Sequence, residues 1–172
     1  QIVCLVPYAT TEPYAVIQVS NNGVNSNSVT MFADSRAPGV FTSNQAGTGG
    51  AAAVHANGSL VTASSPAAVG ETIAVYLTGL GIVTPTVDDG AAAPSEPLSK
   101  TVDIIQVFVG GQTAKVTFSG LAPGFAGLYQ VNFVVPTGAG SGPACLNIWG
   151  NDPAGPPALN AYNSMAVLCL EG

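Results

Sequence analysis

The chain has 172 residues, of which only 7% are charged, and its formal net charge is −6 with three Lys or Arg in total. Three basic side chains cannot neutralise a phosphate backbone, so composition argues against a nucleic-acid-binding protein. The negative charge disfavours an anionic membrane surface, and no apolar run approaches the roughly 20 residues of a membrane-spanning helix. With 47% hydrophobic residues, the chain is also too apolar for a disordered protein.

The hydrophobic pattern is that of β-strands. Apolar and polar residues alternate in short runs, and no window shows helical spacing with caps. In chain order, we predict strands at Ile2–Val6, Ala15–Val19, Ser28–Phe32, Ala51–His55, Ser59–Thr62, Thr72–Thr78, the two arms of Val102–Phe118, Tyr129–Val135, Ala144–Trp149 and Met165–Leu170. Many short strands with turn signals between them predict an all-β fold, an immunoglobulin-like antiparallel β-sandwich.

Three tight turns are predicted between these strands. Asn22-Gly23, Asn57-Gly58 and Gly110-Gly111 each separate two strand patterns, and such pairs suit primed turns because these turns need positive φ angles. Two longer stretches rich in Pro, Ala and polar residues, Ile82–Lys100 and Asn151–Asn160, are predicted to be surface loops.

An internal repeat relates the two ends of the chain. Three stretches occur twice in the same order: residues 1–7 with 130–136, residues 13–17 with 143–147, and residues 27–29 with 163–165. The chain therefore opens with the closing half of a module and then runs through one complete module. We accordingly expect a partial, three-stranded β module over residues 1–36, a linker over 37–50, and a complete immunoglobulin-like sandwich over 51–172.

The partial module raises the question of what it packs against. Three strands over about 35 residues cannot bury enough apolar surface to be stable alone. The segment would dock on its own second module, complete a sandwich with strands of a neighbouring chain, or be the remnant of a trimmed upstream module. The nearly continuous apolar run Ile2, Val3, Cys4, Leu5, Val6 is typical of a strand buried on both faces, so it is a candidate assembly strand.

A series of motifs in the linker and the second module suggests a family. The series comprises Ala37–Thr42 (APGVFT), Ala51–Val54 (AAAV) with Asn57-Gly58-Ser59, Tyr76–Gly81 (YLTGLG), Val109-Gly110-Gly111, and Leu121–Phe125 (LAPGF) with Leu128–Asn132 (LYQVN). In this order they resemble the uncharacterised C-terminal module abundant in Acidobacteria, especially Solibacter-type proteins. The resemblance implies an extracellular or cell-surface β-sandwich, and it implies no catalytic residues.

The three cysteines allow one disulfide and one remaining thiol. Cys145 and Cys169 fall on apolar runs that we expect to pair as strands, so they are the candidate partners, which leaves Cys4. Three buried, reduced cysteines acting as small hydrophobic residues are an equally weighted alternative. A zinc site is not expected, because the sequence has no CxxC motif and no second histidine.

His55 is the only histidine, and it lies two residues before a predicted turn, where a polar residue is expected in any case. We interpret it as structural, and we expect no catalytic residues and no cofactor. A pocket that held His55 together with an acid and a serine would favour an enzyme instead.

Two further polar motifs are candidates for sites. Asp88-Asp89 is the densest acidic spot, but it lacks the spacing of a calcium loop, so no metal site is expected there. Asn57-Gly58-Ser59 is a sequon, which makes Asn57 a candidate glycosylation site.

The sequence thus favours a non-enzymatic extracellular or cell-surface structural protein, a filament subunit or a stalk module that forms a homo-oligomer or polymer by strand sharing. The half-module at residues 1–36 motivates this expectation. The alternative is an immunoglobulin-like module that binds a carbohydrate or another cell-surface ligand through loops such as Ile82–Lys100, since loops at the ends of sandwiches commonly carry binding.

Overall fold

The computed structural model describes residues 2, 4–10, 13–151 and 161–171, and the side chains of 151 and 161–164 lie outside that description. All regular structure in this part is β, in fourteen strands: β1 (Tyr14–Ile17), β2 (Ser20–Asn21), β3 (Val24–Asn25), β4 (Val29–Phe32), β5 (Gly39–Val40), β6 (Ala53–Val54), β7 (Thr72–Thr78), β8 (Val83–Thr84), β9 (Lys100–Thr101), β10 (Ile104–Val109), β11 (Gln112–Leu121), β12 (Tyr129–Val134), β13 (Gly142–Asn151) and β14 (Ala161–Leu170). No described helix is long and apolar enough to cross a membrane. The predicted loop over 151–160 lies outside the described residues apart from Asn151, which ends β13.

Ten of the strands form one antiparallel sheet that folds over into a sandwich. Its order is β14-β13-β10-β11-β12-β7-β5, with β6 also paired to β7, and β8 and β9 attached beside β11. Isolated parallel bridges from Gly50 and Ala67 bring the two ends of this order together at β14. The prediction of an all-β antiparallel sandwich is confirmed.

Strand β11 is where the sheet turns from one layer into the other. Its first residues pair with β10, and its later residues pair with β12. The register shifts between Val116 and Phe118, and a β-bulge of this kind increases the local twist of a strand. One long strand therefore contributes to both layers.

The core forms because each long strand alternates between buried and accessible side chains. In β7, Ile73, Val75 and Leu77 are fully buried while their neighbours are not. The buried residues of β7, β10, β12, β13 and β14 belong to a single hydrophobic cluster. The alternation read from the sequence is the origin of this cluster, because successive side chains of a strand point to opposite faces.

Two of the predicted turns have the geometry that their sequences favour. Gly110 and Gly111, between β10 and β11, have φ angles of 55° and 80°, and Asn22 and Gly23, between β2 and β3, have 49° and 81°. Positive φ at both central residues is the signature of a type I′ turn.

The stretch Ile82–Lys100 differs from the predicted surface loop. It contains β8 and ends in the first residue of β9, and Ala93 and Ser99 within it are buried. Backbone hydrogen bonds join Ala93 to Phe125 and Gly124, so the middle of the segment lies against the sandwich.

Of the three strands predicted in the N-terminal segment, Ala15–Val19 and Ser28–Phe32 are present as β1 and β4, while Ile2–Val6 is not a strand in its described residues. Residues 2 and 4–7 form no strand, and Val3 lies outside the described residues. A two-stranded sheet of β1 and β4 follows, extended by the small β2–β3 pair, and it shares no ladder with the ten-stranded sheet. Beyond it, β5 pairs with β7, so the predicted linker over 37–50 contributes a strand to the sandwich.

Candidate functional site

The β1–β4 hairpin repeats the geometry of the β13–β14 hairpin at the other end of the chain. Tyr14 lies opposite Phe32, and at the equivalent place Ala144 lies opposite Leu168. The remaining pairs match in the same way, with Val16 opposite Thr30 in one hairpin and Leu146 opposite Ala166 in the other. The strand register therefore reproduces the internal repeat of the sequence.

The two hairpins differ in what covers them. In β13–β14, the inward side chains Ala144, Leu146, Ala166 and Leu168 are all buried in the core. In β1–β4, Val16 is 67% exposed where Leu146 is 0%, and Phe32 is 91% exposed where Leu168 is 1%. We refer to Tyr14, Val16 and Phe32 as the N-terminal apolar face. Its residue types are those of a buried core, but its side chains are exposed to solvent.

Residues 2–6 show the same contrast with their counterparts in the repeat. Ile2, Cys4 and Val6 correspond to Val131, Phe133 and Val135, which are buried along β12 and just beyond it. In the N-terminal segment all three are exposed, and Ile2 is 70% accessible. Both pieces of the partial module therefore leave core-type positions uncovered.

One anchor holds the chain just before the hairpin. Tyr129 donates its hydroxyl proton to the carbonyl oxygen of Gly81, so the Tyr8 hydroxyl, 3.0 Å from that of Tyr129, acts as the donor between the two. The backbone N–H of Tyr8 also donates to Asp89 at 2.9 Å. The side chain of Leu5 fills the space beside Gly127, where a Cβ would collide with it.

A second anchor holds the chain just after the hairpin. The guanidinium of Arg36 makes a bidentate pair with the buried carboxylate of Asp103, through Nε at 2.5 Å and Nη2 at 3.0 Å. Beside it, the N–H of Ala37 donates to the carbonyl of Gly79, and the stem of Arg36 lies against Gly81. Because Tyr8 also reaches Gly81 through Tyr129, both ends of the hairpin segment are fixed at one place on the sandwich.

His55 lies in one pocket with an acid, Glu71, and a serine, Ser65, the combination named above as favouring an enzyme. Its Nδ1 is 2.6 Å from Oε1 of Glu71, and its Nε2 is 3.1 Å from the carbonyl oxygen and 3.3 Å from the hydroxyl of Ser65. The other carboxylate oxygen of Glu71 accepts from the N–H of Ala68 at 3.0 Å. His55, Ser65 and Glu71 line an open depression of about 280 Å³ together with Asn57.

The hydrogen bonds shift the pKa values of both His55 and Glu71. The hydrogen bond to Glu71 raises the pKa of His55 above its ordinary value, although burial opposes it in part. Burial raises the pKa of Glu71, but hydrogen bonds from His55 and from the N–H of Ala68 outweigh it and leave that pKa lowered. A protonated imidazole donates at both nitrogens, to Glu71 and to the Ser65 carbonyl, whereas only a neutral imidazole with a free Nε2 can accept the proton of the Ser65 hydroxyl. We refer to the His55–Glu71 pair as the clamp.

The other acidic and polar candidates are dispersed. Among the described residues, no group of three or more His, Cys, Asp and Glu is placed to hold a metal ion. Asp89 is engaged by Tyr8, as described above. Within Ile82–Lys100, Ser95, Glu96, Leu98 and Lys100 line a second open depression of about 510 Å³.

Cys145 and Cys169 are near one another on one face of the sheet, but they are not bonded. Cys145 lies opposite Val167 and Cys169 lies opposite Pro143, so the two thiols occupy diagonal positions on the outer face of β13 and β14. Diagonal neighbours are about 7–8 Å apart, which is beyond the usual Cα separation of a disulfide. In this structure Cys4, Cys145 and Cys169 are all free, in contrast to the predicted Cys145–Cys169 disulfide.

Asn57 lies on an exposed turn. Its side-chain oxygen accepts hydrogen bonds from the N–H and the hydroxyl of Ser59 at 2.9 and 2.7 Å. The sequon is therefore accessible at the surface, beside the depression that His55 lines.

Comparisons with known proteins found no matching family model, no matching curated protein and no matching solved structure.

Proposed function

We propose that this chain is a structural module of an extracellular filament or stalk, and that it joins its neighbour in the assembly by strand sharing through the N-terminal segment. The observation that carries the proposal is the exposure of Val16 and Phe32 at positions that are fully buried in the equivalent hairpin. An isolated two-stranded hairpin is marginally stable in water. A neighbour that covers this face would supply the missing burial.

The two anchors support an assembly role for the hairpin. A free tail would lose conformational entropy on binding a neighbour, and this cost weakens association. Here Tyr8 and Arg36 fix both ends of the segment to the sandwich. The hairpin is thus presented in a defined position before it meets a partner.

The remaining parts of the proposal come from composition and resemblance. The low charge reduces the desolvation cost of close contact between subunits. The resemblance to the Solibacter-type surface module favours an immunoglobulin-like sandwich outside the cell. We propose no catalytic role, because the nearest partners of His55 are Glu71 and the Ser65 carbonyl, while the Ser65 hydroxyl lies farther away at 3.3 Å.

The test is electron microscopy and mass analysis of material isolated without denaturant. We expect regular extended assemblies in which the amides of β1 and β4 are protected from hydrogen exchange. Phe32→Asp, expressed in place of the parent chain, should abolish assembly. Phe125→Asp is the matched control, since Phe125 is also an exposed phenylalanine but lies in the loop between β11 and β12. Discrete 17.0 kDa particles with freely exchanging β1 and β4 amides would overturn the proposal.

A carbohydrate-binding module is a second candidate function, favoured by the larger depression in Ile82–Lys100. Glu96, Lys100 and Ser95 place charged and hydroxyl groups around it. Such groups suit the hydroxyls of a sugar. Binding on a glycan array that is lost in the double variant Glu96→Ala, Lys100→Ala would support this candidate, and an array without any signal would argue against it.

A further inference from the structure

We propose that the partner covering the N-terminal apolar face is an opening half-module: a segment built like residues 37–129 that lacks its own closing hairpin. This inference rests on the proposed function, because it names the neighbour that shares strands with the N-terminal segment. We call residues 37–129 the opening half and residues 130–170 the closing half.

The chain itself shows how an opening half covers a closing hairpin. The closing hairpin is held by β10, which pairs with β13 from Ile104 opposite Asn151 to Val109 opposite Leu146. Leu146 and Leu168 complete a core whose other members come largely from the opening half. A second hairpin with the same register and the same type of inward face is complementary to the same kind of surface.

The equivalence predicts the register of the shared strands. Val16 corresponds to Leu146, so it should lie opposite the partner's counterpart of Val109. Ile17 corresponds to Asn147, so it should lie opposite the counterpart of Phe108. The β1 strand would then pair antiparallel with a β10-type edge and close the partner's sheet.

Residues 2–6 fit the same partner by an independent correspondence. Their counterparts, residues 131–135, lie in β12 and just after it, and β12 is hydrogen-bonded to β7 on one side and to β11 on the other. A strand between two others is covered on both edges, and its backbone groups need both neighbours. Within this chain residues 2 and 4–7 have no strand pairing. An opening half would supply both missing edges.

A second copy of residues 1–172 offers no free opening half. Its own closing hairpin already buries Leu146 and Leu168 against residues 37–129. If that opening half were given to the N-terminal segment of another copy, its own closing hairpin would become exposed instead.

The decisive experiment supplies an opening half in the same polypeptide. Residues 37–129 are placed directly before Gln1 of the full chain, so the new junction Tyr129-Gln1 reproduces the natural Tyr129-Gln130. We expect a monomer in which the amides of β1 and β4 exchange at least about 100-fold more slowly than in the unextended chain. Phe32→Asp should remove this protection, while Phe125→Asp in the original sandwich should not. Equal exchange rates with and without the extension, whether or not the added segment folds, would overturn the inference.

A second measurement tests pairing of two hairpins face to face. The substitution Phe32→Cys is introduced into the full chain with its three cysteines replaced by serine. This variant is then oxidised under assembly conditions. The inference expects no dimer linked through position 32, because the face belongs against a different surface. Rapid, near-complete cross-linking at that position would overturn it.

The two proposals fail in different ways. Slow amide exchange of β1 and β4 in the extended chain, without any native assembly, would contradict the proposed structural function. It would still support the inference that an opening half covers the N-terminal apolar face. Native assemblies with hairpin-to-hairpin cross-links, together with no protection in the extended chain, would support the structural function. They would overturn the inference that an opening half covers the N-terminal apolar face.

Discussion

Phe32 and Leu168 occupy the same position in two β-hairpins of identical register, yet Phe32 is 91% exposed and Leu168 is 1% exposed. Phe32 lies edge-on to Tyr14, with ring centroids 6.3 Å apart. Through this contact the hairpin itself covers part of the Phe32 ring. The difference arises from the surroundings, because the closing hairpin lies on an opening half.

Truncating these two equivalent residues should have very different effects on the stability of the isolated chain. We expect Leu168→Ala to lower the free energy of unfolding by about 2–5 kcal/mol, since it opens a cavity in the core. Phe32→Ala should change it by less than about 0.5 kcal/mol, because an exposed side chain loses little burial. Urea unfolding followed by tryptophan fluorescence measures both. Similar losses in the two variants would show that Phe32 is buried in the isolated chain.

A pair of glycines tests the attachment of the linker to the sandwich. Gly79 and Gly90 both have positive φ, but only at Gly79 would a Cβ collide with the carbonyl oxygen of Ala37. Gly90→Ala should therefore cost only the backbone strain, about 1–2 kcal/mol. Gly79→Ala should cost about 1–3 kcal/mol more, because the linker has to move. Thermal unfolding of the two variants gives the comparison, and equal melting temperatures would contradict the close packing of Ala37 on Gly79.

The Arg36–Asp103 pair should be a strong local determinant of stability. Asp103 is buried and accepts two hydrogen bonds from the guanidinium, so Asp103→Asn removes the carboxylate charge that faces Arg36 there. Breaking a buried pair on one side costs about 3–5 kcal/mol. Asp34→Asn is the control, since Asp34 is exposed and its oxygen accepts only local hydrogen bonds. Denaturant unfolding should separate the two variants clearly, and a loss below 1 kcal/mol for Asp103→Asn would contradict the assigned role.

The His55–Glu71 clamp should make stability depend on pH in a defined window. The pKa of His55 is raised, so its contribution is complete below pH 6.5 and is lost as the pH rises through the folded-state pKa. The pKa of Glu71 is lowered, so its contribution is present above pH 4.5 and is lost as the pH falls through the folded-state pKa. The clamp therefore contributes most between pH 4.5 and 6.5.

Melting temperatures across this range provide the measurement. For a partly exposed pair the contribution is on the order of 1 kcal/mol, or about 2–4 °C in a chain of this size. His55→Gln should flatten the dependence above pH 6.5, because the imidazole that loses its proton there is gone. Ser65→Ala should keep it, because the backbone carbonyl that accepts from His55 remains. An unchanged profile in His55→Gln would show that other groups carry the dependence.

The strands and tight turns were predictable because their causes are local. The alternation in Thr72–Thr78 predicts β7 with the bounds that the structure has. Gly110-Gly111 and Asn22-Gly23 predict turns because they tolerate positive φ. The strand predicted at Ile2–Val6 did not form in its described residues, since a strand needs a hydrogen-bonding neighbour as well as an apolar pattern.

The polar contacts were not predictable, because their partners are distant in sequence or lie in segments without a pattern. Arg36 and Asp103 are 67 positions apart, and Tyr8 and Tyr129 are 121 apart. His55 and Glu71 are closer, but they meet only because the hairpin after β6 lies beside the segment that leads into β7. No single-sequence signal marks such pairs before the chain is folded.

The all-β fold, the strand alternation and the repeat that makes residues 1–36 a second closing half can be read from the residues alone. Those features depend on side-chain type and spacing along the chain, which hold in any surroundings. Which of the two closing hairpins is buried, and where the ends of the uncovered one are anchored, depends instead on how the chain folds. Burial requires the surface of another element, and the opening half at residues 37–129 is already covered by β13 and β14.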